Sequence, residues 1–164
     1  MHAFLLATIP QPDPLPLPAP HALVWFLLLL TFLLHLLPMN LLLGGTVLGS
    51  LSRHLGGPGG REHHPQLVKF FSKAMPVTTA AAITLGVAPL LLVQVLYGRL
   101  FFTSSILMAW IWFAVIPLLC IGYYGTYLLA FKEDKLGGAL PVVSWGTTLI
   151  FVAIAFIYVN NMSL

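Results

Sequence analysis

Hydrophobic residues occur in four long runs, at about 22–51, 67–97, 104–131 and 141–160. Each run is long enough for an α-helix that crosses the hydrocarbon core of a bilayer, which takes about 20 residues. Glycine, proline and charged residues collect between the runs, in RHLGGPGGREHHP, YGRLFFTSS and KEDKLGG. Because short connections make sequential helices antiparallel neighbours, the pattern predicts an all-α integral membrane protein, an up-down bundle of four transmembrane helices.

The N-terminal segment, residues 1–21, has a different pattern. Proline occupies every second position from residue 10 to residue 20. Proline lacks an N–H and fixes φ, so this spacing forbids helix and favours an extended, polyproline-II-like conformation. We therefore divide the chain into an extended N-terminal segment, 1–21, and a four-helix transmembrane domain, 22–164. The segment lies either along the membrane surface or against a partner subunit; the alternative is a disordered tail.

The amino-acid composition also indicates an integral membrane protein. Hydrophobic residues make up 59% of the chain and charged residues 7%, with a mean hydropathy of +0.98. A soluble domain carries about 25% charged residues. All four acidic residues lie outside the long apolar runs, so the pI near 9.3 reflects basic flanks of the membrane spans and gives no indication of nucleic-acid binding.

The basic residues predict an orientation. Six of them flank the first and third connections: Arg53, Arg61, Lys69, Lys73, Lys132 and Lys135. Only Arg99 lies at the second connection. The positive-inside rule puts the six on the cytoplasmic side, so both termini are expected outside. For a bacterial inner membrane this is the periplasmic side.

His35 is the only histidine deep in an apolar run, in LLHLLPMNLLLGG. An ionisable residue inside a membrane is costly and marks a functional site by default. At helical spacing, His35 shares a face with Leu28, Thr31, Phe32, Pro38, Met39, Leu42, Thr46 and Gly49. The opposite face is almost entirely leucine, which is typical of lipid contact. We therefore expect the imidazole to point into the bundle or toward a partner.

Pro38 lies close to His35 and is expected to kink the helix there, since it cannot donate a hydrogen bond to the carbonyl of Leu34. A kink opens volume, and a freed carbonyl can orient an imidazole N–H. Such an imidazole suits a haem iron, for which histidine is a common ligand. The alternative is a histidine hydrogen-bonded to Thr31, to a backbone carbonyl or to a neighbouring helix.

Three further residues are candidates for cofactor binding. Met39 offers a thioether, but it lies one turn from His35 on the same helix and cannot reach the opposite face of a haem bound there. Gln94 is an intramembrane amide that either bridges helices or hydrogen-bonds a cofactor or a quinone carbonyl. Arg99 is suited to pair with a haem propionate, or else is an interfacial anchor. The second axial ligand of the iron stays open.

Parts of the chain resemble subunit I of the cytochrome bd quinol oxidases. LTFLLHLLPMNLLLGGTVLGSLSR is similar to the first helix of that family, in which a histidine ligates a haem near the outer face. LVKFFSKAMPVTTAAAITLGVAPLLLVQVLYG is similar to its second helix, and FTSSILMAWIWFAVIPLLCIGYYGTYLLAFKED to its third. The resemblance covers roughly residues 22–135.

By this resemblance His35 matches the haem-ligating histidine, and Gln94 falls where the family commonly has a glutamate. The family's third helix carries glutamates for oxygen chemistry and proton delivery, whereas the run 104–131 contains no acid. The family subunit also has about twice as many helices, a quinol-binding loop and ligands for a low-spin haem, none of which has a counterpart here. Oxygen reduction is therefore not expected.

The resemblance implies a half-size relative that binds haem b. We expect a cytochrome b-type membrane subunit, electron-transferring or non-catalytic, that passes electrons between quinol and a partner redox subunit. Its partners would be a second copy of the chain, other membrane subunits or a c-type cytochrome. The alternative is a cofactor-free structural subunit that anchors a larger respiratory or photosynthetic complex.

Overall fold

The computed structural model describes residues 19–55 and 65–163, and within these ranges the chain is all-helical. The helices are α1 (His21–Leu55), α2 (Pro65–Leu107), α3 (Ala109–Phe131), the short α4 (Glu133–Leu136) and α5 (Leu140–Ser163), with a 3₁₀ turn at Gly137–Ala139 between the last two. Four helical segments are long and apolar enough to cross a membrane: α1, α2, α3 and the stretch Glu133–Ser163. Residues 1–18 of the predicted extended segment lie outside the described residues, and His21 begins α1.

Side-chain contacts show that successive long helices run antiparallel. Near the start of α1, Leu28 belongs to the same apolar cluster as Leu96 of α2. Farther along α1, Leu42 clusters with the earlier α2 residue Met75. Helices α3 and α5 are likewise antiparallel, because Trp112 meets Tyr158 whereas Gly125, farther along α3, faces Thr147. The result is the predicted up-down arrangement of four helices. One end of the bundle contains the C-terminus of α1 (Leu55), the N-terminus of α2 (Pro65) and α4, and we call it the basic end. The opposite end is called the terminal end.

The second helix is longer than the sequence pattern predicts. YGRLFFTSS reads as a connection, but residues 98–107 continue α2 after an interruption at Tyr97 (φ −128°, ψ 35°). Helix α3 begins at Ala109 instead of Ser104. Packing explains the difference, because Phe101 and Ser104 are buried and the Phe101 ring meets Trp112 at 6.2 Å.

The outer surface of the bundle is strongly apolar. Leu37, Val77 and Trp110 are 70%, 72% and 88% exposed. The interior instead holds many hydroxyls, several of which donate to a carbonyl of their own helix, as Thr79 does to Met75. Small and hydroxyl-bearing residues at helix interfaces with hydrocarbon outside are typical of helices that pack within a bilayer. The four long helices are therefore suited to contact lipid.

Candidate functional site

The His35 imidazole lies in the interface between α1 and α2. A Cβ placed on Gly86 would stand 2.9 Å from Cε1 and 3.1 Å from Nδ1 of His35. The ring also approaches the backbone carbonyl of Ala82, one turn earlier in α2. The histidine therefore faces α2 within the bundle, and a glycine on the partner helix provides the room for it.

One nitrogen of this ring has no hydrogen-bond partner: Nδ1 of His35 is buried and unpaired. Thr31, the nearest hydroxyl on the same face, donates to the carbonyls of Leu27 and Leu28 at 2.7 and 3.2 Å. Leaving a buried polar group without a partner costs about 1–3 kcal/mol. The cost marks His35 as a residue that packing alone does not explain.

The other predicted site residues, Met39, Gln94 and Arg99, lie at different heights along the bundle axis from His35. Met39 is half-buried one turn farther along α1. Gln94 and Arg99 follow Gly86 by 8 and 13 residues in α2, which at 1.5 Å per residue places them roughly 12 and 20 Å nearer the terminal end. Arg99 lies beyond the interruption at Tyr97 and is exposed. Only Met39 is therefore within a turn of the histidine.

The donor set around His35 fits a haem better than a metal ion held by protein alone. Within 19–55 and 65–163 no three histidine, cysteine, aspartate or glutamate side chains group as metal ligands. A zinc site needs three or four such ligands, whereas a haem iron needs one or two because the porphyrin supplies the rest. A single imidazole with an unpaired nitrogen, in a helix apolar enough to cross a membrane, meets that ligand count.

The structure also shows a polar network at the basic end that the sequence pattern signals only weakly. Arg53, whose side chain is 8% exposed, donates from Nε to Oε1 of Glu133 at 2.7 Å. Its Nη2 donates to Ser72, and its Nη1 approaches Ser144 at 3.5 Å. The guanidinium thus connects α1, α2, α4 and α5. Arg53 is a buried ion-pair residue, beyond its predicted role as a topological marker.

Hydroxyls extend this network along the α1–α5 interface. The Ser50 hydroxyl lies 2.7 Å from that of Ser144 and 2.9 Å from that of Thr148. Thr148 donates in turn to the carbonyl of Thr46 at 3.1 Å. A cavity of about 20 Å³ lies among these groups, which is room for one water molecule. Every described member therefore has a polar neighbour, as a buried network requires.

A weak signal for this network exists in the sequence. Thr46, Gly49, Ser50 and Arg53 recur at spacings of three and four in α1, and Ser144 and Thr148 do so in α5. These are the spacings of one helix face. Nothing in the sequence pairs Arg53 with Glu133, since 80 residues separate them.

Comparison with protein-family models, with curated proteins and with solved structures finds no match to this chain.

Proposed function

We propose that the protein is a small membrane cytochrome b-type subunit that binds haem b through His35 and passes electrons between quinol and a partner redox subunit. The observation that carries the proposal is the imidazole between α1 and α2, with a buried, unpaired nitrogen and a glycine opposite. The contact with the Ala82 carbonyl can pair only one of the two ring nitrogens, and Nδ1 is left without a partner. The resemblance of the first three runs to cytochrome bd subunit I supports the same assignment.

In this proposal the chain's own residues divide the work of holding the cofactor. His35 would bind the haem iron, and Met39 would pack beside the cofactor. Gln94 and Arg99 lie toward the terminal end, where an amide and a guanidinium can hydrogen-bond a propionate or a quinone oxygen. A bound haem supplies one-electron redox chemistry, and these residues orient it and exclude water.

The proposed setting is a bacterial inner membrane with both termini on the periplasmic side. The basic end carries Arg53, Lys69, Lys73, Lys132 and Lys135 among the described residues, whereas Arg99 lies toward the terminal end. This asymmetry supports the orientation. A c-type cytochrome, another membrane subunit or a second copy of the chain would then receive or deliver electrons at the outer face.

Visible spectroscopy of the purified protein tests the proposal. Protein expressed with haem supplied should show a Soret band and, after reduction, α and β absorption bands. The His35→Ala variant should lack all three bands. His21→Ala and His54→Ala are matched controls, because both residues are exposed and belong to the same helix as His35. A wild-type protein that stays colourless, or a His35→Ala variant that keeps the full spectrum, would refute the assignment.

A second candidate function is a cofactor-free structural subunit that anchors a larger assembly. The Arg53 network favours it, because the network ties four helical elements of the basic end together through the chain's own side chains. A colourless but folded wild-type protein that copurifies with other membrane subunits would support this candidate over the first.

A further inference from the structure

Among the described residues, α1 is the membrane-spanning helix that the rest of the chain covers least. In its most apolar stretch 11% of the residues are buried, against 22%, 28% and 22% in the other three candidate spans. Exposed residues recur along its outward face at alternating spacings of three and four. They are Leu23, Phe26, Leu30, Leu33, Leu37, Asn40, Gly44, Val47 and Leu51. We call them the α1 seam, because this spacing is the one at which two helices coil around each other.

Asn40 is the polar member of the α1 seam. It lies 19 residues after His21 and 15 before Leu55, close to the middle of a helix that is apolar enough to cross a membrane. Its side chain is exposed, and no residue within 19–55 or 65–163 hydrogen-bonds it. By contrast, Asn160 of α5 donates to the carbonyl of Phe156 in its own helix at 2.7 Å. Lipid acyl chains offer neither donor nor acceptor, so an amide at the depth of Asn40 needs a partner from another molecule.

We propose that the α1 seam joins two copies of the chain in a parallel, two-fold symmetric dimer, in which Asn40 of one copy pairs with Asn40 of the other. When the two-fold axis runs along the membrane normal, equivalent residues meet at equal depth. A carboxamide carries both N–H donors and an acceptor oxygen, so two such side chains form two reciprocal hydrogen bonds. A different protein would need a polar group at the same depth to do this. The proposal does not depend on haem binding.

Gly44 follows Asn40 by one turn and lets the two helices approach closely. A Cβ at position 44 would meet nothing within 4 Å, so the described part of the chain does not itself require glycine there. Gly45, by contrast, faces α2, where a Cβ would lie 2.8 Å from side-chain atoms of Met75 and Phe71. Small residues allow close backbone approach between helices in membranes, and a single asparagine in a helix seam fixes register and oligomeric state. Asn40 thus sets the register of the pair and Gly44 its separation.

Cysteine crosslinking of the full chain in lipid vesicles is the first test. Cys120 is the chain's only cysteine, so Cys120→Ser provides a background without one. In that background Leu37→Cys should form a disulfide-linked dimer on oxidation. Phe32→Cys is the matched control, because Phe32 is 47% exposed but lies about 140° around α1 from Leu37. Equal crosslinking at the two positions would overturn the proposal.

The second test measures the dimer dissociation constant in vesicles, from energy transfer between donor-labelled and acceptor-labelled copies at a series of protein-to-lipid ratios. Asn40→Leu should raise the constant about tenfold, or about 1.4 kcal/mol, which is the scale of hydrogen bonds between membrane helices. Asn40→Gln keeps the amide and should dimerise more tightly than Asn40→Leu. Gly44→Leu should also raise the constant, because its side chain would separate the helices. Asn160→Leu is the matched control and should leave the constant unchanged.

These variants leave the monomer intact, since Asn40 is exposed and a Cβ at position 44 meets nothing within 4 Å. A wild-type protein that stays monomeric at every ratio would overturn the proposal, as would an unchanged dissociation constant in Asn40→Leu and Gly44→Leu. Crosslinking of Leu37→Cys in cells to a different membrane protein, with no dimer of the chain, would also overturn it and would assign the α1 seam to another subunit.

Discussion

Removing Glu133 should destabilise the protein more than removing its partner Arg53. Glu133→Ala leaves the guanidinium of Arg53 in a site where its side chain is only 8% exposed. Breaking a buried pair from one side costs about 3–5 kcal/mol. Because Glu133 is itself 28% exposed and water can reach the vacated position, we expect about 2–4 kcal/mol.

Arg53→Met should cost less, although Arg53 makes more hydrogen bonds. The carboxylate left behind is the more exposed member and can be hydrated, and the methionine fills the apolar part of the arginine volume. The lost charge-assisted hydrogen bonds are worth about 1.5–3 kcal/mol, part of which this hydration returns. The double variant Arg53→Met/Glu133→Ala should therefore be more stable than Glu133→Ala alone.

The assay is reversible unfolding in mixed micelles with increasing dodecyl sulfate, followed by far-ultraviolet circular dichroism. Asp134→Ala is the matched control, because Asp134 adjoins Glu133 but is exposed, so its loss should change the unfolding free energy by less than about 0.5 kcal/mol. A double variant less stable than Glu133→Ala would refute the reasoning, since it would show that the cost does not come from an unpaired buried cation.

Two further predictions concern α3. Gly125→Ala should destabilise the bundle by about 1–3 kcal/mol in the same assay, because a Cβ there would overlap the hydroxyl of Thr147 on α5. Gly125→Ala/Thr147→Ala should recover most of the loss, and a single variant as stable as wild type would contradict this packing. Cys120 is exposed near the middle of α3, so in an intact bilayer it should resist a water-soluble maleimide and react with a membrane-permeant one. Rapid labelling by the water-soluble reagent would show that this face is not in hydrocarbon.

The number and direction of the helices could be predicted because they depend on local pattern. Twenty consecutive apolar residues have few alternatives to a membrane-spanning helix, and short connections leave few topologies. Helix ends depend on packing as well, which is why 98–107 departs from the local pattern: the Phe101 ring packs against Trp112 of α3, and Asn161 of α5 donates to Ser105 at 3.5 Å.

The candidate site could be predicted only in part. His35 is conspicuous because an ionisable side chain within an apolar helix is rare, and its direction into the bundle follows from the polar residues on its face. Its contact with Gly86 joins residues 51 positions apart, which no periodicity within one helix can reveal. The ion pair of Arg53 could not be predicted for a related reason. A basic residue near a helix end usually extends to the aqueous interface. Here the ion pair with Glu133 of α4 offsets the free-energy cost of burying the Arg53 guanidinium.

The Arg53 network joins the helices at one end of the bundle only. Toward the terminal end, the cluster that joins α1 and α2 among the described residues is apolar and contains Val24, Leu28 and Leu96, which make dispersion contacts. We therefore expect α1 and α2 to separate first at the terminal end, while the Arg53 network keeps the helices together at the basic end.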